Sequence, residues 1–247
     1  VPEDNSIASV LSGVSDNVIG VVGQNSSAYF YQGTDEWTGS ITSMNTYEGY
    51  WIRMIDSDII MHLGPQPDFE KRYDLEEGLN LISFPVPGSV DILSGLENDS
   101  EKNIEFIIGE SEASILHEGQ WVGSLNNFSG GKGYWFYSKN LFDFSYNLDE
   151  LNSSGSLLSR KKEDISSSSQ SLKINQSTLQ MFYFVNQVPD FVNNGDIVMA
   201  FNKDVCVGAR PWNGAMTDIP VMGYDGTHMT QGYCELGDYP DFKILKE

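Results

Sequence analysis

Histidine, cysteine and positive charge are all scarce in this 247-residue chain, and each scarcity excludes something. There are 3 histidines, 2 cysteines and 14 Lys plus Arg against 35 Asp plus Glu, for a net charge of -21. A field of that sign repels phosphate backbones and anionic headgroups, so nucleic acid and a membrane surface are poor partners. No apolar run reaches the roughly 20 residues of a membrane-spanning helix, which argues against insertion into a bilayer. The opening Val1-Pro2-Glu3-Asp4 has neither the basic region nor the apolar stretch of a signal peptide, so if the protein is exported its signal is expected upstream of Val1 and removed. His62, His117 and His228 lie in separate segments without zinc-ligand spacing. Phosphate-loop, dinucleotide, nucleophile-elbow and zincin fingerprints are missing too. Pairs of carboxylates are so abundant among 35 acids that they carry no weight as a glycosidase signature. The expectation is a non-catalytic chain without a cofactor.

What is present is enough apolar material to fold, 40% hydrophobic and 12% aromatic residues, arranged as a repeat of about 85 residues. Trp37-Thr38-Gly39-Ser40-Ile41 matches Trp121-Val122-Gly123-Ser124-Leu125, and Gly49-Tyr50-Trp51-Ile52 matches Gly133-Tyr134-Trp135-Phe136. Upstream, Asn17 to Gly23 matches Asn103 to Gly109, and Val1-Pro2 matches Val86-Pro87. The second copy is introduced by a strand-like Leu79 to Phe84 that has no counterpart before Val1. The first copy is therefore expected either to lack its introductory strand or to share Leu79 to Phe84 with the second.

The fold class expected is mainly β: a β-rich α+β tandem repeat followed by a small β-sandwich. Residues 1–72 form the first copy, 73–148 the second, 149–172 a Ser-rich linker and 173–247 a separate β-domain. Each copy is expected to contain a short helix (Ser6 to Leu11; Val90 to Leu96) and a buried strand (Val18 to Val22; Ile104 to Ile108). A hairpin follows (Ala28 to Tyr31 with Trp37 to Ile41; Ala113 to His117 with Trp121 to Leu125), then a strand from Gly-Tyr-Trp. A last strand closes each unit, Ile59 to Leu63 or Phe142 to Tyr146. In the linker, Arg160-Lys161-Lys162 reads as a solvated charge cluster or a docking point.

The last domain is expected to hold strands at Leu179 to Val185, Asp196 to Phe201, Val205 to Ala209, Ile219 to Met222, Met229 to Tyr233 and Phe242 to Leu245. Cys206 and Cys234 fit one disulfide, the alternative being two buried thiols. Asp196, Asp204, Asp225 and Asp238, with Asn202, Asp218 and Asp241, fall at turns. Oxygen ligands on loops are what Ca²⁺ requires, and Asp also favours turns for its own hydrogen bonds. The metal content of these positions is left open between the two.

The aromatic residues supply the remaining candidates. Trp37, Tyr50 and Trp51 recur as Trp121, Tyr134 and Trp135. Repeated Trp and Tyr mark either a glycan-stacking platform or a duplicated core, and strand alternation allows only one of each Tyr-Trp pair to face solvent. Trp212, beside Pro211 and Asn213-Gly214, is expected to be the most solvent-facing ring.

Gly78-Leu79-Asn80-Leu81-Ile82-Ser83-Phe84-Pro85, with Trp-x-Gly-Ser-Leu and Gly-Tyr-Trp, resembles repeats of large extracellular proteins of marine and related bacteria. Gly195 to Asn202, Cys206 to Arg210 and Gly232 to Asp238 resemble another accessory β module of such proteins. The resemblance implies a secreted or surface-located accessory role. The functional expectation is a binding or adhesion module, with glycans or neighbouring subunits as partners. Two alternatives stand beside it: a structural or assembly protein (surface layer, filament or virion component), and the accessory region of a secreted hydrolase.

Overall fold

The computed structural model describes residues 1–61, 64–97, 99–151 and 174–246. Most of the expected linker, with Arg160-Lys161-Lys162, lies outside the described residues, as do His62 and Leu63. The first strands are β1 (Val18–Gly23), β2 (Ser26–Tyr31), β3 (Glu36–Gly39), β4 (Trp51–Met54), β5 (Tyr73–Leu75) and β6 (Gly78–Phe84). Then come β7 (Ser89–Asp91), β8 (Ile104–Ile108), β9 (Ala113–His117), β10 (Gln120–Gly123), β11 (Asn127–Ser129), β12 (Lys132–Ser138) and β13 (Phe142–Phe144). The last five are β14 (Gln180–Val185), β15 (Ile197–Asn202), β16 (Val205–Pro211), β17 (Thr217–Met222) and β18 (Asp241–Leu245). Helices are single turns: α1 (Ile7–Val10), α2 (Ile92–Gly95) and α3 (Ser100–Asn103). The chain is mainly β, as its alternating apolar segments require.

Two compact units emerge: Val1–Glu110 with Leu125–Gly155, and Ser111–Ser124 with Ser156–Glu247. In the first unit, corresponding residues of the two repeats make the same bonds. Ser6 caps α1 by accepting from the Ser9 N–H, and Asp91 caps α2 by accepting from Leu93. Ile7 N–H donates to Thr42 O at 3.0 Å, as Ile92 does to Asn126 O at 2.8 Å. Ile55 N–H reaches Asn17 O at 2.7 Å, and Lys139 reaches Asn103 O at the same distance. The Tyr50 hydroxyl accepts from Asn45 N–H, and the Tyr134 hydroxyl from Ser129 N–H. Val18, Val21, Ala28, Ile41 and Met44 form the first copy's core, and Ile104, Ile107, Ala113, Leu125 and Phe128 are buried at the matching positions. Gly39 and Gly123 also correspond. Both hold a left-handed φ, +149° and +137°, and a Cβ there would sit 2.3 and 2.2 Å from the carbonyl oxygens of Ser27 and Ala113. Only glycine lets the hairpin strands close this tightly.

In the first copy the sheet order is β3-β2-β1-β4, all antiparallel. In the second, β12 lies between β6 and β8, pairing along its whole length with β6. The core behind it is a chain of rings: Phe84 and Phe128 stack at 6.1 Å, and Tyr146 sits edge-on to Phe84 at 4.9 Å. Phe144 completes it, edge-on to Tyr146 at 5.0 Å.

The second unit sets β14-β17 and β16-β15-β18 around one core of Val198, Ala200, Val207, Trp212, Ile219, Val221 and Tyr233. The β9-β10 hairpin belongs to this unit. Strand β17 is buried along its full length, with Thr217 and Asp218 ahead of the apolar Ile219–Met222.

Two expected strands do not form. Ile59 to Met61 is irregular and exposed, where the matching Phe142–Phe144 pairs with β5. Among the described residues, no strand pairs with this segment. Around Met229, residues His228–Thr230 make a 3-10 turn instead. The Asp225 carboxylate accepts from the Thr227 N–H and hydroxyl and from the Thr230 hydroxyl, and this local bonding outcompetes a ladder.

Candidate functional site

Strand alternation decides the fate of the repeated aromatics. Tyr50 and Ile52 face the first core, and Tyr134, only 1% exposed, faces the second. Trp51 and Trp135 stand on the opposite faces of β4 and β12 and are half-buried. Trp37 packs on the first core and against Phe30, with ring centroids 5.1 Å apart. Trp121 is half-buried on β10. On the outer face of the first sheet, Tyr29 and Arg53 flank Gly20 in register, with Trp51 two positions along β4 from Arg53. The seven sequence-selected rings are divided between the two units, and Tyr134 and Trp212 among them are buried.

Trp212 is not solvent-facing: it is 7% exposed and part of the second unit's core. Its N–H donates to Asp196 O at 2.8 Å and its carbonyl accepts from Gly195 N–H at 2.9 Å. These bonds carry the β15-β16 ladder one step past Pro211, and that step turns the indole inward.

Cys206 and Cys234 are free thiols and not a disulfide. Val205 and Val207 point into the core, so Cys206 between them points out, beside Phe201 and within reach of the Lys243 charge. Cys234 packs against the core. No S–S bond joins the two residues. Burial pushes both thiols above their ordinary value. Titration of the denatured, unreduced protein is expected to find two thiols per chain; finding none would restore the bridge.

The turn aspartates are used locally. Asp196 accepts from Asn193 N–H at 2.7 Å and pairs with Lys246. Asp225 holds the 227–230 turn. Asp238 accepts from Glu235 N–H at 2.9 Å and from the Asn202 side chain. Among the described residues, no three His, Cys, Asp or Glu side chains group as metal ligands, so Asp196, Asp204, Asp225 and Asp238 are not brought together. His117 and His228 are both exposed.

Asp218 differs from these, because it is buried with 1% exposure and still paired. It accepts from the Ser124 hydroxyl at 2.6 Å, and Arg210 Nη2 lies 3.3 Å from its carboxylate. Arg210 also donates to the Ser111 carbonyl and to the Asp218 carbonyl. One ion pair thus fastens both ends of the 111–124 hairpin segment to β16 and β17. Desolvation raises the Asp218 carboxyl above the ordinary carboxylate range, against the pull of Arg210 and Ser124.

The feature least visible in the sequence is the treatment of β6. Its inner edge pairs with β12, and its outer edge is taken by the first repeat. Gly49 N–H donates to Leu81 O at 3.1 Å, Ser83 N–H to Tyr47 O at 3.2 Å, and the Ser83 hydroxyl to Thr46 O at 2.5 Å. The Gln24 amide stands in for a strand. Its oxygen accepts from Leu81 N–H at 2.8 Å, and its nitrogen donates to Leu79 O at 3.2 Å. Leu79 to Phe84 is therefore shared between the copies. Gln24→Ala leaves the buried Leu81 N–H unpaired and is expected to cost about 1–3 kcal/mol. Chemical denaturation measures this, and an unchanged midpoint and slope would refute it.

Among the described residues no helix is long and apolar enough to cross a membrane. The chain matches no protein-family model, no curated protein and no solved structure.

Proposed function

We propose that this chain is a non-catalytic module of an extracellular structural or adhesive protein, in which repeats are locked in series by sharing a strand. The observation that carries this is β6, hydrogen-bonded by its own repeat on one edge and by the preceding repeat on the other. Such a junction transmits load through backbone bonds and leaves neither edge of β6 open to stray pairing. The chemistry of the buried acids supports the same reading. Asp196 and Asp218 are each neutralised by a cation and spent on holding turns and a hairpin together. Surface labelling of intact producing cells with antibody to the chain, paired with protease shaving, tests the location. Confinement to the cytosolic fraction would overturn the reading.

Glycan binding is a second reading, favoured by the outer face of β4, where half-buried Trp51 and Arg53 stand beside exposed Tyr29. Aromatic faces stack on sugars and an adjacent cation reads acidic ones. A glycan array probed with the chain and with Trp51→Ala tests it, and binding unaffected by the substitution would remove this face as the site.

A further inference from the structure

The second unit contains two Asn-Gly pairs, Asn194-Gly195 and Asn213-Gly214. The dipeptide is chemically labile, because a residue without a side chain lets its own nitrogen approach the asparagine amide. The two pairs match in exposure and backbone: Asn194 and Asn213 are both exposed, and Gly195 and Gly214 both hold a φ of +98°. They differ in the glycine N–H. Gly195 N–H donates to Trp212 O at 2.9 Å, whereas among the described residues no acceptor takes the Gly214 N–H. The Gly214 turn is held by its carbonyl instead, which accepts from the Thr217 hydroxyl at 2.7 Å and from the Thr217 N–H at 3.3 Å. The same hydroxyl accepts from Asn213 N–H at 3.1 Å. Space around Gly214 is open, since a Cβ added there would meet nothing within 4 Å.

We propose that Asn213 is a site of self-modification, converting to aspartate and isoaspartate in the folded protein, while the fold shields Asn194. The Gly214 nitrogen gives its proton to water or hydroxide and attacks Cγ of Asn213. A new C–N bond closes a five-membered succinimide as the Cγ–Nδ2 bond breaks and ammonia leaves. Water then opens the ring, at Cγ to give aspartate or at the main-chain carbonyl to give isoaspartate. Water is the only co-reactant, and no oxidant or reductant takes part. At Asn194 the same attack requires breaking the Gly195 bond and leaving the Trp212 carbonyl without its partner. Both products at 213 add a negative charge. The isoaspartyl product also inserts a methylene into the main chain before Gly214, so the Thr217 hydroxyl no longer spans Asn213 N–H and Gly214 O. That clamp follows directly on Trp212 in the core, so the modified unit should unfold more readily.

The test is to incubate the full chain at mildly alkaline pH, native and in urea, and to map both sites by mass spectrometry of tryptic peptides with isoaspartate detection. In urea the two sites should convert at similar rates. In the native chain conversion at Asn213 should exceed that at Asn194 by about tenfold or more, the factor that one tied N–H supplies. Asn213→Gln, which would need a larger ring, should leave residue 213 unmodified and Asn194 unchanged. The more acidic fraction isolated by anion exchange should show a lowered unfolding midpoint. Equal native rates, a faster Asn194, or an Asn213 that reacts in urea but not when folded overturns the proposal. A modified fraction with an unchanged midpoint overturns the role given to the Thr217 clamp.

Discussion

Gly208→Ala is expected to unfold the second unit, the largest single-site effect this chain should show. A Cβ at residue 208 would lie 1.6 Å from the carbonyl oxygen of Pro220 and 2.8 Å from its carbonyl carbon. Both obstacles are backbone, and no rotamer change relieves them. Nor can β17 retreat, because every one of its residues is buried and it is paired with β14 from Thr217 to Met222. The approach of β16 to the Pro220 carbonyl therefore requires a residue without a side chain at position 208. The cost should be about 4 kcal/mol or more, in the range reserved for steric failure in a core. Loss of the dispersed amide resonances of residues 174–246 would register it. Gly13→Ala is the control: nothing lies within 4 Å of its Cβ, and a change of no more than about 0.5 kcal/mol is expected. A Gly208→Ala protein with a native spectrum and midpoint would mean that β16 and β17 do not approach in this way.

Arg210→Met is the second large effect, and pH should reveal its cause. Removing the guanidinium strands the Asp218 carboxylate in the interior and releases the Ser111 carbonyl. Breaking one side of a buried pair costs about 3–5 kcal/mol. Asp218 is raised above the ordinary carboxylate range in the folded protein, so the fold holds its proton more tightly than the unfolded chain does. Its contribution is therefore fully present below the unfolded value, about 3.9, and is lost as pH rises through the folded value. Without Arg210 the folded value moves higher, and the loss extends to higher pH. The penalty of Arg210→Met should be greatest near neutrality and shrink as the solution is acidified and Asp218 becomes a neutral acid. Adding Asp218→Leu should recover most of the loss at neutral pH. A penalty independent of pH would show that Arg210 acts through packing or its carbonyl bonds and not through Asp218.

Most strands were legible because their apolar residues are contiguous or alternate. Ile104–Ile108 and Ala113–His117 form over the very residues that the pattern indicates. The repeat was legible because tryptophan and glycine are rare enough to align, and Gly39 and Gly123 show what the alignment preserves. Strand β13 falls within the expected Phe142 to Tyr146, but its partner β5 and the pairing of β7 with β11 were not legible. Three residues carry too little period to stand out, and these pairings exist because a partner distant in sequence is already in place. Trp212 misled for a related reason. Pro211 and Asn213-Gly214 announce a turn, but the turn begins one residue later than composition suggests, and one residue reverses the face. The cysteines misled because an even count in one small domain does not bring two thiols within bonding geometry.

By itself the sequence determined the β-rich character, the duplication, the excess of acidic residues and the opposition of Tyr to Trp within each Gly-Tyr-Trp, since all of these follow from local period and composition. Only the tertiary structure decided that β6 serves two repeats, that the 111–124 segment is held by Arg210 and Asp218, and that the two thiols are not bonded. Each of these depends on which backbone edge or buried charge meets which, across separations where sequence pattern carries no phase.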